Sequence, residues 1–417
     1  MSKLPTKKLD VVEDTKQPLE GEGALFDPGA DIEVLGASTN GNWQSLSTSV
    51  AIDSDEVASR LELSQSLREE LGLLMNSETL VVLAGSGTSI GVFSPDRKSP
   101  APTMKTLWDA LTQLEVFTRV KDSLSPDVIQ GMNFEHVLSE AQARLDLDPR
   151  SSDLQTFVTE AESIVLDRCS FVGKESDLEN HNLFLRKVAR RSTRLDRTAI
   201  FTTNYDLAFE ESAQQSRFFP VDGFGFLGRE FDGGTFDLDY VRRRPNEQPM
   251  LEPNVFHLLK LHGSVDWDAT GGVVHRIPNR PTTPVLIYPS AAKYQLSYQQ
   301  PFLEFMSRFQ IALRKPDVGL IVVGFGFNDE HLVAPLEAAI RSNIGLRAVV
   351  VSPGIRLDGR SRTISWLEDL VMRGDRRITL LNATFADLVK LLPDVPPLEE
   401  RDAHAERVGG RKEPERS

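Results

Sequence analysis

Four short segments, each beginning at or just after the carboxyl end of a β-branched apolar run, constrain the fold of this 417-residue chain most strongly. They are Leu83–Ser89, Thr202–Asp206, Lys260–Trp267 and Val323–His331. Each combines glycine or asparagine with hydroxyl, imidazole or carboxylate side chains at the place where open parallel α/β sheets bind their ligands. The pattern therefore predicts a ligand site formed by loops at one edge of a parallel sheet.

The alternation of apolar runs and helical patterns from Thr198 onward predicts a parallel sheet with crossover helices. The candidate strands are Thr79–Leu83, Ala199–Thr202, Phe256–Leu261, Val285–Tyr288, Gly319–Val323, Ala348–Val351 and Ile378–Leu381. The candidate helices outside the insert are Ser54–Asn76, Gln299–Arg314, His331–Ser342, Thr363–Met372 and Phe385–Leu392. The predicted fold class is α/β, with a parallel-sheet core and a helical insert domain.

Composition and periodicity divide the chain further. In chain order the predicted parts are a flexible amino-terminal arm (1–52), a core in two stretches (53–102 and 196–398), a helical insert (103–195), a small irregular insert inside the core (218–254) and a charged tail (399–417). The arm mixes Gly, Ser, Thr, Asn and acidic residues without periodicity, whereas the helical insert has apolar residues at helical spacing. The sheet core is therefore predicted to carry two insertions.

The charge balance and the apolar runs limit where the protein acts and what it binds. With 47 basic and 61 acidic side chains the formal net charge is −14, which argues against direct binding of nucleic acid through its phosphates. Two basic clusters, at 186–191 and 242–244, could contact phosphates, but a solvated helix face or a partner interface is the favoured interpretation. No apolar run approaches the roughly 20 residues of a membrane span, and residues 1–8 lack the apolar core of a secretory signal. A cytoplasmic protein without membrane contact is expected.

Taken together and in this order, the four segments resemble the sirtuin-like family. The resemblance implies a Rossmann-like core with a helical module beside it and a site that takes NAD as its substrate. Cys169 is the only cysteine, so the chain departs from protein-deacylating sirtuins, which carry a four-cysteine zinc ribbon. No zinc or other metal is expected.

The first segment carries residues suited to holding the pyrophosphate of NAD. Gly85 and Gly87 lack the β-carbons that would keep a phosphate from the backbone, and Ser86, Thr88 and Ser89 add hydroxyl donors. The spacing matches neither the strict dinucleotide fingerprint nor a P-loop. A tight strand-to-helix turn without a ligand therefore remains the alternative.

Asn204 and His262 are the candidate catalytic residues. The resemblance implies that Asn204 helps to bind the nicotinamide ribose and orients a water, and that His262 acts as a base toward the ribose hydroxyls. An imidazole with a pKa of about 6.5 exchanges protons readily near neutral pH. Asp206 is predicted either to hydrogen-bond a ribose or amide group or to cap the following helix. His257, on the opposite phase of the same strand, is expected to be a core histidine.

The third and fourth segments supply further candidate contacts with NAD. Gly263 and Ser264 are expected to bind the cofactor beside His262. Gly324 and Gly326 permit close approach of the adenosine part of the dinucleotide. These glycines are therefore predicted to belong to the binding site.

The remaining residues of these two segments have more than one interpretation. Asp266 could orient His262 or bind substrate, although shaping the pocket wall together with Trp267 is the favoured role. Asn328 is expected to cap the helix that follows it. His331 either contacts the ligand or lies on that helix.

The resemblance implies cleavage of the bond between nicotinamide and ribose. If water is the nucleophile the products are ADP-ribose and nicotinamide, whereas an acyl-lysine carbonyl as nucleophile leads to deacylation. Because the zinc cysteines are missing, hydrolysis is the favoured prediction. Bacterial sirtuin-like proteins with Thr-x-Asn-Tyr-Asp and Leu-His-Gly-Ser motifs are similar to this chain, and many deplete NAD during phage infection and so cause abortive infection.

Two other functions stay open. One is an NAD-dependent protein deacylase or ADP-ribosyltransferase, and the other is a catalytically silent subunit that binds NAD or ADP-ribose in an oligomeric scaffold. For an NAD hydrolase, the resemblance implies control through a homo-oligomer or through a partner such as a HerA-type ATPase translocase.

Overall fold

The computed structural model describes residues 32–47, 53–225, 230–287 and 300–394, apart from Arg97, Arg244, Asn246, Glu247 and Asp358. The strands are β1 (Glu33–Leu35), β2 (Gln44–Ser45), β3 (Thr79–Ala84), β4 (Ala199–Thr202), β5 (Phe219–Val221), β6 (Val241–Arg242), β7 (Met250–Leu251), β8 (Val255–Lys260), β9 (Gly263–Asp268), β10 (His275–Arg276), β11 (Pro284–Leu286), β12 (Val318–Val323), β13 (Leu346–Val351) and β14 (Ile378–Asn382). The α-helices are α1 (Ser54–Met75), α2 (Met104–Thr112), α3 (Glu115–Val120), α4 (Pro126–Gln130), α5 (Phe134–Leu147), α6 (Ser152–Cys169), α7 (Glu179–Val188), α8 (Ala208–Ser216), α9 (Phe302–Leu313), α10 (Glu330–Ser342), α11 (Arg362–Met372) and α12 (Phe385–Leu391).

The main sheet has β3 at its centre. Among the described residues its order is β2-β1-β14-β13-β12-β3-β4-β8-β5, and the seven strands from β14 to β5 run parallel. The chain moves outward from β3 on one side, through β4 and β8, and later returns to the other side at β12. The strand order therefore reverses between β3 and β12, where a doubly wound sheet opens a ligand crevice. The predicted α/β class with a Rossmann-like parallel core is confirmed.

Helices cover both faces of this sheet, which explains the continuous apolar sequence of its central strand. All six residues of β3 are buried. Val81 and Leu83 face the apolar core built with α9, α10 and α11, whereas Leu80 and Val82 face the core built with α1, α7, α8 and α12. A strand covered on both sides is apolar along most of its length, as the five residues after Thr79 are here.

Helices α2 to α6 form an apolar core of their own. Phe134 and Phe157 lie at its centre, and Tyr205 and Val265 extend into it from the loops that follow β4 and β8. This contact sets the helical insert over the carboxyl edge of the sheet. Helix α7, which the sequence pattern groups with the insert, packs on the sheet instead, with Phe184 in the core of that face.

The basic cluster at 186–191 is partly structural. Lys187 is buried and donates to the carbonyl oxygen of Leu392 at 2.5 Å. Arg191 is buried too, and its Nη1 donates to the carbonyl oxygen of Asp196 at 3.0 Å. Neither of these two charges is therefore available to phosphates or to a partner.

The prediction of a flexible arm over residues 1–52 is wrong for residues 32–47. Strand β1 pairs antiparallel with β14, and β2 pairs antiparallel with β1. Ile32 and Val34 fall on one face of this extension and Leu35 on the other, so apolar burial on both faces holds it to the sheet. The rest of the predicted arm and the predicted tail at 399–417 lie outside the described residues.

Two other sheet predictions need correction. The strand predicted at 285–288 was expected in the parallel sheet, but β11 pairs antiparallel with β9, which also pairs with β10, in a separate three-stranded sheet. Conversely, the segment at 218–254 begins with β5, which forms the edge of the parallel sheet beside β8. Both strands have three residues, so apolar content alone could not assign their partners.

Candidate active site

A cavity of about 270 Å³ lies at the carboxyl edge of the sheet, between the loops of the crevice and the helical insert. Residues after β3, β4, β8 and β12 line it together with residues of α2, α5 and α6. The predicted site residues on its wall are Gly85, Ser86, Ser89, Asn204, Asp206, His262, Gly324 and Gly326. The structure therefore brings both candidate catalytic residues to one cavity.

Asn204 is held by hydroxyl groups of the glycine turn. Its amide nitrogen donates to Thr88 Oγ1 at 3.1 Å and to Ser89 Oγ at 3.0 Å. Its amide oxygen is buried and has no hydrogen-bond partner among the described residues. A buried acceptor without a partner is costly, so a hydrogen-bond donor from a ligand in the cavity that Asn204 lines would offset that cost.

Asp206 shares this network. Its Oδ2 accepts from Ser89 Oγ at 2.8 Å, and its Oδ1 accepts from the backbone nitrogen of Ala208 at 3.0 Å, just inside α8. Asp206 therefore binds the backbone of the first residue of α8 from the position before the N-cap, which is Leu207. Its place on the cavity wall is compatible with the ligand role as well.

A buried ion pair fixes the loop that carries Asn204. Lys260, at 2% exposure, binds the carbonyl oxygens of Tyr205 and Asp206 and lies 2.9 Å from Glu210 Oε1. Burial raises the pKa of Glu210, while the nearby positive charge of Lys260 opposes that rise. Because a buried charge is costly without its partner, this pair holds the loop in one conformation.

His262 forms a close pair with a carboxylate that the sequence pattern did not single out. Its Nε2 lies 2.7 Å from Asp329 Oδ2, and both side chains are 7% exposed. Asp266, the carboxylate considered for this role, instead lies 3.3 Å from Arg276 Nε. The only local signal for Asp329 was its place ahead of a helical pattern, which indicates a helix cap rather than a partner 67 residues away.

The glycines of the crevice pack against one another. A β-carbon on Gly85 would lie 2.5 Å from the carbonyl oxygen of Gly324, and one on Gly87 would lie 2.5 Å from its Cα. Gly324 has a φ of +64°, and its own β-carbon would lie 2.6 Å from the nitrogen of Thr88. The missing β-carbons therefore allow the two loops to contact each other. The sequence pattern had predicted this space for a pyrophosphate.

Four predicted contacts lie away from the cavity wall, and the first of them is Gly87, which packs on Gly324. Thr88 is buried behind Asn204, where it also donates to the carbonyl oxygen of Gly85 at 2.9 Å. Gly263 opens β9 with a φ of +91°, against the backbone of β11, and the fully buried Ser264 follows it into the three-stranded sheet. Because the chain turns sharply after His262, Gly263 and Ser264 lie outside the crevice.

The fourth segment also differs in detail from its prediction. The cap of α10 is Asp329, whose Oδ1 accepts from the backbone nitrogen of His331 at 3.2 Å, and not Asn328. Asn328 lines the cavity with the crevice residues. His331 lines a second, mainly apolar cavity of about 360 Å³, and His262 and Asp329 border both cavities.

Trp267 and His257 are core residues. Trp267 is 1% exposed and packs on Phe305 at a ring-centroid distance of 6.0 Å. His257 packs edge-on against Phe236 at 5.5 Å, and burial, followed by the positive charge of Arg308, lowers its pKa to about 4. The expectation of a core role for His257 is confirmed.

The helical insert contributes a carboxylate that sequence reasoning missed. Glu135, on the first turn of α5, lines the cavity and lies 3.2 Å from the hydroxyl of Tyr205, which also donates to the carbonyl oxygen of Ile287 at 2.8 Å. Together with Asp206 and Asp329, Glu135 gives the cavity an acidic wall. No pattern in the sequence links α5 to the loops of the sheet.

Within the described ranges, no group of three or more histidine, cysteine or acidic side chains is placed to hold a metal ion. The same part of the chain contains no helix that is long and apolar enough to cross a membrane.

A doubly wound parallel sheet with a cavity at its switch point is the usual arrangement of α/β proteins that bind nucleotide-like ligands. Residues 198–369 match the family model of the SIR2-like domain. Residues 198–369 are thus a SIR2-like domain, which supports a sirtuin-like family protein, and the SIR2-like family binds NAD. The match covers β4 to most of α11, including Asn204, His262 and Asp329, and begins after the glycine turn. No curated protein sequence matches the chain.

Proposed function

We propose that the protein hydrolyses NAD to ADP-ribose and nicotinamide. The observation that carries this proposal is that Asn204 and His262 line one cavity at the switch point of the sheet. The unpartnered amide oxygen of Asn204 supports it, because a ribose hydroxyl or the attacking water offers the missing donor.

The electrostatics of the cavity suit this reaction. When the bond between C1 of the ribose and the nicotinamide nitrogen breaks, its electron pair leaves with nicotinamide and positive charge develops on the ribose. Glu135, Asp206 and Asp329 line the cavity and supply negative charge around that centre. The acidic wall therefore favours the charge distribution of the transition state.

The two candidate catalytic side chains have different roles in the attack of water on the ribose. Asn204 accepts a hydrogen bond through its amide oxygen and so orients a hydroxyl or a water. The oxygen of the water forms the new bond to C1, and one of its protons passes, directly or through a ribose hydroxyl, to the imidazole of His262. The proton then returns to solvent, and the enzyme is unchanged.

We also propose that this hydrolysis depletes NAD in the bacterial cytoplasm during phage infection and leads to abortive infection. The support for this role is the resemblance of the four segments to bacterial defence proteins. A homo-oligomer, or a partner such as a HerA-type ATPase translocase, would restrain the activity in healthy cells.

A protein deacylase is the second candidate, and one observation favours it. The apolar cavity of about 360 Å³ borders His262 on the side of α9 and α10, and Phe302, Met306 and Leu332 are among its lining residues. Such a cavity suits an acyl chain. The absence of zinc-ribbon cysteines from the sequence weighs against this alternative.

The test is chromatography of NAD after incubation with the purified protein, beside His262→Ala, Asn204→Ala and, as the matched control, His257→Ala. His257 lies on the strand that leads to His262 but packs in the core. All variants are compared at a temperature at which circular dichroism shows them folded. We expect nicotinamide and ADP-ribose from the wild type and the control, and at least about 10²-fold slower release from the other two.

Other results would replace the proposal. Turnover only when an acyl-lysine peptide is added, with release of the deacylated peptide, would establish the deacylase. NAD binding without turnover by the protein alone, and also by the protein co-purified from infected cells, would establish the silent scaffold subunit.

A further inference from the structure

The pair formed by His262 and Asp329 joins two loops that lie far apart in the sequence. His262 follows β8, whereas Asp329 stands between β12 and α10 on the other side of β3 in the sheet. Their side chains meet at 2.7 Å, and both border the two cavities of the crevice. Such a short contact between buried groups is a strong hydrogen bond.

The carboxylate of Asp329 is held at both of its oxygens. Oδ1 accepts from the backbone nitrogen of His331 and caps α10, and Oδ2 contacts His262. The loop before it is also fixed, because Gly324 packs on the glycine turn and Phe327 has a φ of +56°. The helix cap and the packed loop therefore hold the carboxylate in place independently of the imidazole.

A helix cap by itself does not account for this arrangement. Among the described residues, Asp53 caps α1 with its Oδ1 alone, at 2.8 Å from the nitrogen of Glu56. The second oxygen of Asp329 is directed at His262, the residue placed at the centre of the chemistry.

We propose that Asp329 is a positioning residue for His262. The Nε2 hydrogen is donated to Asp329, so the lone pair of the neutral imidazole lies on Nδ1, the nitrogen that accepts the proton. The inference rests on the proposed function for its role in turnover. The tautomer and the orientation of the ring are properties of the folded protein and can be measured without it.

Asp329→Asn provides a sharp test because it separates the two roles of the side chain. Asn caps helices about as well as Asp, so its carbonyl oxygen is expected to accept the hydrogen bond from the backbone nitrogen of His331. Its amide group then faces Nε2 of His262 as a donor, which forces the lone pair onto Nε2. The variant is expected to keep the wild-type melting temperature and to hold the ring in the opposite tautomer.

In turnover, we expect Asp329→Asn to lower kcat by about 10² to 10⁴-fold, as inversion of a catalytic histidine does elsewhere, and to change KM by less than about threefold. The double variant with His262→Ala should be no slower than His262→Ala alone, because both changes remove one function. Asp53→Asn is the matched control and should retain wild-type kcat. A kcat for Asp329→Asn within about threefold of the wild type would overturn the inference.

The readout that does not depend on activity is the ¹⁵N spectrum of protein labelled at histidine, with the His262 signals assigned by their loss in His262→Ala. The inference requires the Nε2–H form in the wild type and its replacement in Asp329→Asn. An Nδ1–H form in the wild type, or the same tautomer in both proteins, would overturn it. If the wild type releases no nicotinamide but shows the tautomer change, the proposed hydrolysis fails while the positioning by Asp329 stands.

Discussion

His181 and His262 are both buried, but the groups around the two imidazoles differ. His181, on α7, is 1% exposed and packs between Phe209 and Phe385 at ring-centroid distances of 5.2 and 5.0 Å. Neither of its ring nitrogens has a hydrogen-bond partner among the described residues. His262 is 6% exposed, meets the carboxylate of Asp329 and borders two cavities.

The difference shows that burial alone does not identify a functional histidine. Burial lowers the pKa of His181 to about 4, so this ring is neutral under ordinary conditions and serves as one more aromatic group in the core. A histidine that transfers protons needs a partner that orients it and a cavity that admits a ligand. Of these two residues, only His262 has both.

The strongest test of this comparison is the removal of each imidazole. His262→Ala and Asn204→Ala should lower NAD turnover by about 10² to 10⁴-fold, the usual contribution of a positioned proton-transfer group. His181→Phe should leave kcat within about twofold of the wild type. Initial rates of nicotinamide release measure all three, and a loss of turnover in His181→Phe with unchanged folding would break the comparison.

The next largest effect is on stability, within the crevice itself. Gly324→Ala places a β-carbon 2.6 Å from the nitrogen of Thr88 at a residue with positive φ, so we expect a loss of at least about 3 kcal/mol in the free energy of unfolding. Gly374→Ala is the matched control, because Gly374 also has a positive φ but a β-carbon there would meet nothing within 4 Å. Urea titration measures both.

Equal losses in these two variants would show that backbone strain, and not the contact between the loops, makes the glycine necessary. A much larger loss for Gly324→Ala would show that the crevice depends on close packing of its loops as well as on its polar side chains.

The region around His181 predicts a pH effect on stability. The folded protein keeps His181 neutral down to about pH 4, whereas the unfolded chain protonates it near pH 6.5, so unfolding takes up a proton between these values. Stability is therefore lost as the pH falls from 6.5 to 4. By pH 5 the contribution of His181 to this loss is about 2 kcal/mol.

His181→Phe should remove this contribution, so the difference in the free energy of unfolding between variant and wild type grows as the pH falls from 7 to 5. Urea titrations at several pH values measure it. A difference that is independent of pH would mean that His181 is not held neutral by burial.

The smallest effect tests the network behind Asn204. Ser89→Ala removes the hydroxyl that accepts from the amide of Asn204 and donates to Asp206. The hydrogen bond that positions Asn204 should contribute about 1 kcal/mol, and the variant loses it. We expect kcat to fall about fivefold. Ser94→Ala, whose hydroxyl binds the exposed Asp96, is the control and should retain wild-type kcat, as measured by nicotinamide release.

Much of the fold follows from local pattern. The parallel strands β3, β4, β8, β12, β13 and β14 coincide with predicted apolar runs because a strand covered on both faces excludes water along most of its length. The positions of Asn204 and His262 at the ends of such strands placed them at the same edge of the sheet. Strand β1 could not be predicted in this way, because its partner β14 lies at the opposite end of the chain and the segment around it is polar.

By itself, then, the sequence determined the α/β class, the central strands and the loops on which the candidate site residues stand, since these depend on residues within a few positions of one another. Only the tertiary structure decided that His262 meets Asp329 rather than Asp266, that Gly85 and Gly87 pack on Gly324, and that the insert adds a carboxylate to the cavity. These contacts arise where separate loops converge at one edge of the sheet. Their geometry depends on strand order and crossover paths, which no local pattern encodes.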